Sequence, residues 1–143
     1  MKNARGFTLV EVMVALLVFS LGVLGLVGLQ GGAVRFSSDA RQRADATFLA
    51  DQLMARALIA DPTTLASFAH KPADAACVPT GNVSTHPTVT AWLDEVSALL
   101  PKADAAKQQV IVDAPNSKII VRLCWQNGSD AQHQLAVTNV LQR

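Results

Sequence analysis

Apolar positions follow three different rules along this chain. From Gly6 to Leu29 they are almost continuous, interrupted only by Thr8, Glu11 and Ser20. As a helix rising about 1.5 Å per residue, Phe7 to Leu29 would measure roughly 34 Å, enough to cross a bilayer core of about 30 Å. Charges then gather at Asp39, Arg41, Arg43, Asp45 and Asp51, and the apolar residues become periodic. Ala46, Leu49, Ala50, Leu53 and Ala57 recur at i, i+3, i+4, i+7 as one stripe, with Met54 and Leu58 beside it. The two stretches predict one helix from near Phe7 to about Ala60, stopped by Asp61-Pro62.

Beyond that stop the pattern shortens. Residues 62–87 are rich in Pro, Thr, Ala and Asn and read as an irregular connector, with one helical turn at 64–68. Trp92, Leu93, Val96, Leu99 and Leu100 predict a short amphipathic helix ending at Pro101. Three alternating runs close the chain, at 109–113, 118–126 and 134–141. Ile119, Val121, Leu123 and Trp125 share one face of the second run, and Leu135, Val137 and Leu141 one face of the third. Turn residues at 114–117 and 127–130 separate them, which predicts an antiparallel meander. A long helix laid on a small antiparallel sheet is an α+β fold.

Composition adds limits. A chain of 143 residues has room for one small domain behind the apolar segment. The formal net charge is +1, with basic residues scattered, so no electrostatic footprint for a polyanion is present. His70, His86 and His133 show no metal-ligand spacing with one another or with the cysteines. No nucleophile, base and orienting acid announce a catalytic centre, and no cofactor is expected. Cys77 and Cys124 are the two cysteines. Should the apolar segment send the globular part out of the cytoplasm, a Cys77–Cys124 disulfide is the expected state, and free thiols the state otherwise.

Glu11 is the anomaly. A carboxylate in hydrocarbon costs about 2.5–3.5 kcal/mol on insertion scales. A cleaved secretory signal would have an apolar core of only about 7–15 residues and a small-x-small exit, which this run lacks. A plain signal anchor with Lys2 and Arg5 held inside fits the length and leaves Glu11 unexplained. The remaining reading is a segment that uses the carboxylate. Gly22, Gly25, Gly28, Gly31 and Gly32 follow in the same run. They read either as softening of the helix or as close helix–helix approach, Gly28 and Gly32 having small-xxx-small spacing.

Arg5-Gly6-Phe7-Thr8-Leu9-Val10-Glu11-Val12 resembles the class III signal of type IV pilins and of the pseudopilins of type II secretion. The resemblance implies cleavage by prepilin peptidase between Gly6 and Phe7, N-methylation of Phe7, and retention of the apolar helix. It also implies a pilin-like fold. Cleavage would remove Lys2 and Arg5, and twelve basic residues less those two leave ten against eleven acidic, a formal charge of −1. It would create an α-amine on Phe7 for which Glu11 of a neighbouring subunit supplies a counter-charge, setting axial register in a filament. Residues 14–30 and the stretch Val121-Arg122-Leu123-Cys124-Trp125-Gln126 resemble PilV-type minor pilins, although the helix-breaking proline of many major pilins is replaced at the matching position by Gly28. The implied organisation is a leader at 1–6, a transmembrane and assembly half-helix at 7–30, and a periplasmic globular domain at 31–143. The implied location is the inner membrane, then the pilus. The implied partners are major and other minor pilins, prepilin peptidase and the inner-membrane assembly platform. A minor pseudopilin shares this N-terminus, and a membrane-anchored periplasmic binding module that never polymerises shares its anchor.

Overall fold

The computed structural model describes residue 6 and residues 8–140. Lys2, Arg5, Phe7 and Leu141, which carry parts of the expectations above, lie outside the described residues. The elements are α1 (Leu9–Ile59), a 3₁₀ turn (Pro62–Phe68), α2 (Pro87–Leu99), a second 3₁₀ turn (Ala105–Lys107), β1 (Gln109–Asp113), β2 (Lys118–Trp125) and β3 (His133–Val140). The fold is α+β with a pilin-like layout. Contacts divide the chain into two compact units, Met1–Ala40 and Arg41–Arg143.

In the first unit α1 passes without interruption through all five glycines. Beyond the adjoining residues and the helix's own backbone, a methyl group added at any of them would meet no described atom within 4 Å. Helix geometry survives there because no competing hydrogen bond or proline breaks the ladder, despite a propensity cost near 1 kcal/mol per glycine.

The second unit holds the core. Ala46, Leu49, Ala50, Leu53 and Ala57 of α1 are fully buried, and Met54 nearly so. Leu58, expected beside that stripe, is 48% exposed. It stands about 100° from Ala57 around the helix, outside the arc the core covers. Trp92 of α2 packs into the stripe and its Nε1–H donates to the Leu49 carbonyl at 2.8 Å. The buried indole thereby keeps its one donor satisfied. Ile119, Val121, Leu123 and Trp125 line the core face of β2, and Leu135 and Val137 of β3 pack against the same cluster.

The sheet has the order β1-β2-β3, antiparallel throughout. Asp61 stops α1 and then caps the 3₁₀ turn, its Oδ1 accepting from the Thr63 N–H at 2.8 Å, with Pro62 in the first turn. α2 starts five residues before Trp92, where the apolar period becomes visible, because His86 caps it and Pro87 occupies the first turn. The connector is also less irregular than its composition predicts. His70 pairs with Val110, and Ala73 with Thr80, as isolated antiparallel bridges.

Candidate functional site

Of the residues singled out at the N-terminus, Glu11 sits on the first turn of α1. Thr8 precedes the helix, and its Oγ1 and carbonyl both accept from the Glu11 N–H, at 3.2 and 3.1 Å. Thr8-x-x-Glu11 has the capping-box spacing, a signal present in the sequence itself. An anion in this first turn also faces the positive end of the helix dipole, worth about 0.3–1 kcal/mol. That gain is smaller than the cost of placing a carboxylate in hydrocarbon. Glu11 is exposed and, among the described residues, its carboxylate has no hydrogen-bond or ion-pair partner. Val12, Ala15, Leu16 and Phe19 line a shallow apolar groove with it. The best 18-residue window of α1 has mean hydropathy 2.7, with none of it buried, so the helix is long and apolar enough to cross a membrane. Gly6 is exposed just ahead of the cap.

Cys77 and Cys124 form a disulfide with Cα atoms 5.4 Å apart. Cys124 lies on the face of β2 away from the core and is fully buried there. The bond holds residues 73–77 over that outer face. Two consecutive glutamines, whose role no local pattern reveals, bond on either side of it, and Gln109 completes the attachment. Gln108 uses its side-chain amide as an extra rung of the sheet, accepting from the Cys124 N–H at 2.9 Å and donating to the Cys124 carbonyl at 3.0 Å. Gln109 donates to the Ala73 carbonyl at 2.9 Å and accepts from Arg122 at 2.9 Å.

The three histidines are spread over separate structural tasks. His133 stacks on Trp125 with ring centroids 5.6 Å apart. His86 Nδ1 accepts from Thr88 N–H at 3.2 Å, capping α2. His70 is buried, with Nδ1 accepting from Ser84 N–H at 3.3 Å. Its Nε2 therefore carries the proton and donates to the Ala105 carbonyl at 3.1 Å. Burial pushes the His70 pKa below its ordinary 6.5, and Lys71 adds to the depression against the opposing pull of the Ala105 carbonyl. An unfolded chain then binds a proton that the native one refuses, so stability is fully present above about pH 6.5 and falls as pH drops below it. Replacing His70 by Asn is expected to lower the melting temperature most at pH 7.5 and less at pH 5.5. Thermal melts at the two pH values check this; a constant gap would show that His70 does not contribute to the acid sensitivity.

Residues 1–27 match the family model of the prokaryotic N-terminal methylation motif. No curated protein and no solved structure matches the chain. The matched motif implies processing by prepilin peptidase and assembly with other pilins, and on an apolar helix it points to membrane anchoring. Over residues 1–27 the chain is thus similar to the prokaryotic N-terminal methylation motif, the class III signal of type IV pilin-like proteins.

Proposed function

We propose that this protein is a minor pilin of a bacterial type IV pilus, promoting filament initiation and assembly with other minor pilins. The observation that carries the reading is the methylation motif running directly into an exposed apolar helix with an unpaired Glu11 in its first turn. Prepilin peptidase cleaves between Gly6 and Phe7 and Phe7 is methylated. The α-amine so created is a cation that must enter an apolar bundle of helices. Glu11 of a neighbouring subunit neutralises it there, and the 31–143 domain, periplasmic before assembly, is carried into the filament. The disulfide fits that oxidising compartment.

Mass spectrometry of the mature protein from its native membrane provides the test. The expected N-terminal peptide begins at Phe7 and carries one N-methyl group. An intact Met1 would instead identify a membrane-anchored module that never polymerises. Immunogold labelling of sheared pili then separates the pilus from the secretion pseudopilus: label on the pili is expected, and its absence from pili with defective secretion in a deletion strain favours the pseudopilin.

A further inference from the structure

The free edge of β3 and the Arg122 side chain beside it form a surface that the assembly role leaves unused. In β1 the N–H and C=O of Val110 both bond His70, at 2.9 and 3.0 Å, and so point away from β2. In an antiparallel ladder a residue sends both groups to the same side, and neighbours alternate. With Val110 opposite Val121 and Val121 opposite Val137, the alternation turns Leu135, Val137 and Asn139 toward β2. Gln134, Ala136, Thr138 and Val140 are turned outward, and among the described residues their backbone groups meet no partner. Edge strands are ordinarily blunted by charge, proline, bulges or brevity. β3 has eight residues, none charged and none proline.

The side chains of those outward residues lie on the face away from the core, since Leu135 and Val137 occupy the other. Ala136 stands opposite Arg122 there. Arg122, Gln134 and Ala136 line an open depression of about 580 Å³ with Asp74, Ala75 and Ala76. The Arg122 guanidinium donates to the neutral Gln109 amide at 2.9 Å and makes no ion pair among the described residues. Asp74 is on the rim, with its carboxylate accepting from the Thr80 hydroxyl.

We propose that the free edge of β3 docks an extended segment of a partner protein that bears a carboxylate side chain opposite Ala136. Backbone pairing at Gln134, Ala136 and Thr138 supplies general recognition of a strand. With strands about 4.8 Å apart, a glutamate opposite Ala136 has its Cα about 10 Å from that of Arg122, a gap the two side chains span above the alanine methyl. Arg122 is thereby the specificity element, since a guanidinium pairs a carboxylate in a fixed fork. The inference concerns the Arg41–Arg143 unit and stands whether or not the chain enters a filament.

The test uses the full-length protein in detergent micelles and fluorescent eight-residue peptides of alternating Thr and Val, with Glu, Gln or Lys at a central position. Anisotropy is expected to show the Glu peptide binding about tenfold tighter than the other two. Arg122→Gln is expected to close that gap. Ala136→Glu, which hands Arg122 a carboxylate from within the chain, closes it by a second route. Thr138→Pro removes an outward N–H while leaving the β2 ladder intact, and is expected to abolish binding of all three. Equal affinity for the three peptides, no binding, or a Glu preference that survives both Arg122→Gln and Ala136→Glu would overturn the proposal.

Discussion

Replacing Glu11 by alanine is expected to leave the protein in the membrane and cleaved at Gly6, yet excluded from filaments. The proposed pairing puts the Phe7 α-amine of one subunit against Glu11 of the next in an apolar bundle. Removing one member of such a pair strands the other charge, at a cost of roughly 3–5 kcal/mol. That corresponds to about two to four orders of magnitude in the equilibrium for subunit entry. Glu11→Gln is expected to fail almost as badly, because it keeps the shape and loses the charge. Thr8→Ala is the control for the helix cap. It removes the Oγ1 that accepts from Glu11 N–H, a loss of about 0.5–2 kcal/mol that leaves the carboxylate in place. Quantitative immunoblots of sheared filaments against membrane fractions make the measurement. Normal incorporation of Glu11→Ala would end the electrostatic account, and an equal defect in Thr8→Ala would transfer the role to the cap.

The second large effect concerns the disulfide. Cys77 and Cys124 are 47 residues apart, and in the chain-entropy model closing such a loop stabilises by about 4 kcal/mol. Small domains hold only about 5–15 kcal/mol in total. The double variant Cys77→Ala/Cys124→Ala is therefore expected to lose a large fraction of its stability. Part of that loss is returned, because Lys71, Asp74 and Cys77 sit at φ of 42°, 66° and 70°. Side chains in that left-handed region cost roughly 1–2 kcal/mol each, and an untethered connector relaxes out of it. Urea denaturation is expected to show a loss of about 2–4 kcal/mol, and limited proteolysis to cut within 71–80 first. A loss below about 1 kcal/mol would mean that Gln109 and the two bridges hold the connector without the bond.

The parts legible in the sequence were those governed by a period. The continuous apolar run, the Ala46–Ala57 stripe and the alternation of Ile119, Val121, Leu123 and Trp125 all appear where their spacing places them. The candidate site was legible for a different reason: the Gly6, Phe7 and Glu11 motif is local, and its residues are read in order along the chain. What stayed hidden depends on partners distant in sequence. His70, Gln108 and Gln109 are buried polar residues whose neighbours lie across the fold, and nothing in their immediate surroundings distinguishes them from surface residues. Leu58 and Leu99 fit the apolar spacing and are nevertheless exposed, because periodicity says which face is greasy and not how wide a strip is covered. The start of α2 was missed since histidine is an unusual cap, working here through Nδ1 rather than a carboxylate or hydroxyl.

The indole bond from Trp92 to the Leu49 carbonyl also has a meaning in time. Apart from Leu135 and Val137 at its margin, the large residues that cluster with the α1 stripe from beyond that helix come from positions 65 to 125 of the chain. During synthesis, which proceeds from the N-terminus, Leu49 and Leu53 emerge with nothing to cover them. Their cover is incomplete until α2 and then β2 have followed. Folding of the globular unit is thus a late, nearly all-or-none event. A stalled or truncated chain that ends before Lys118, and so lacks β2, would present its helix stripe to proteases and chaperones as an unfinished product.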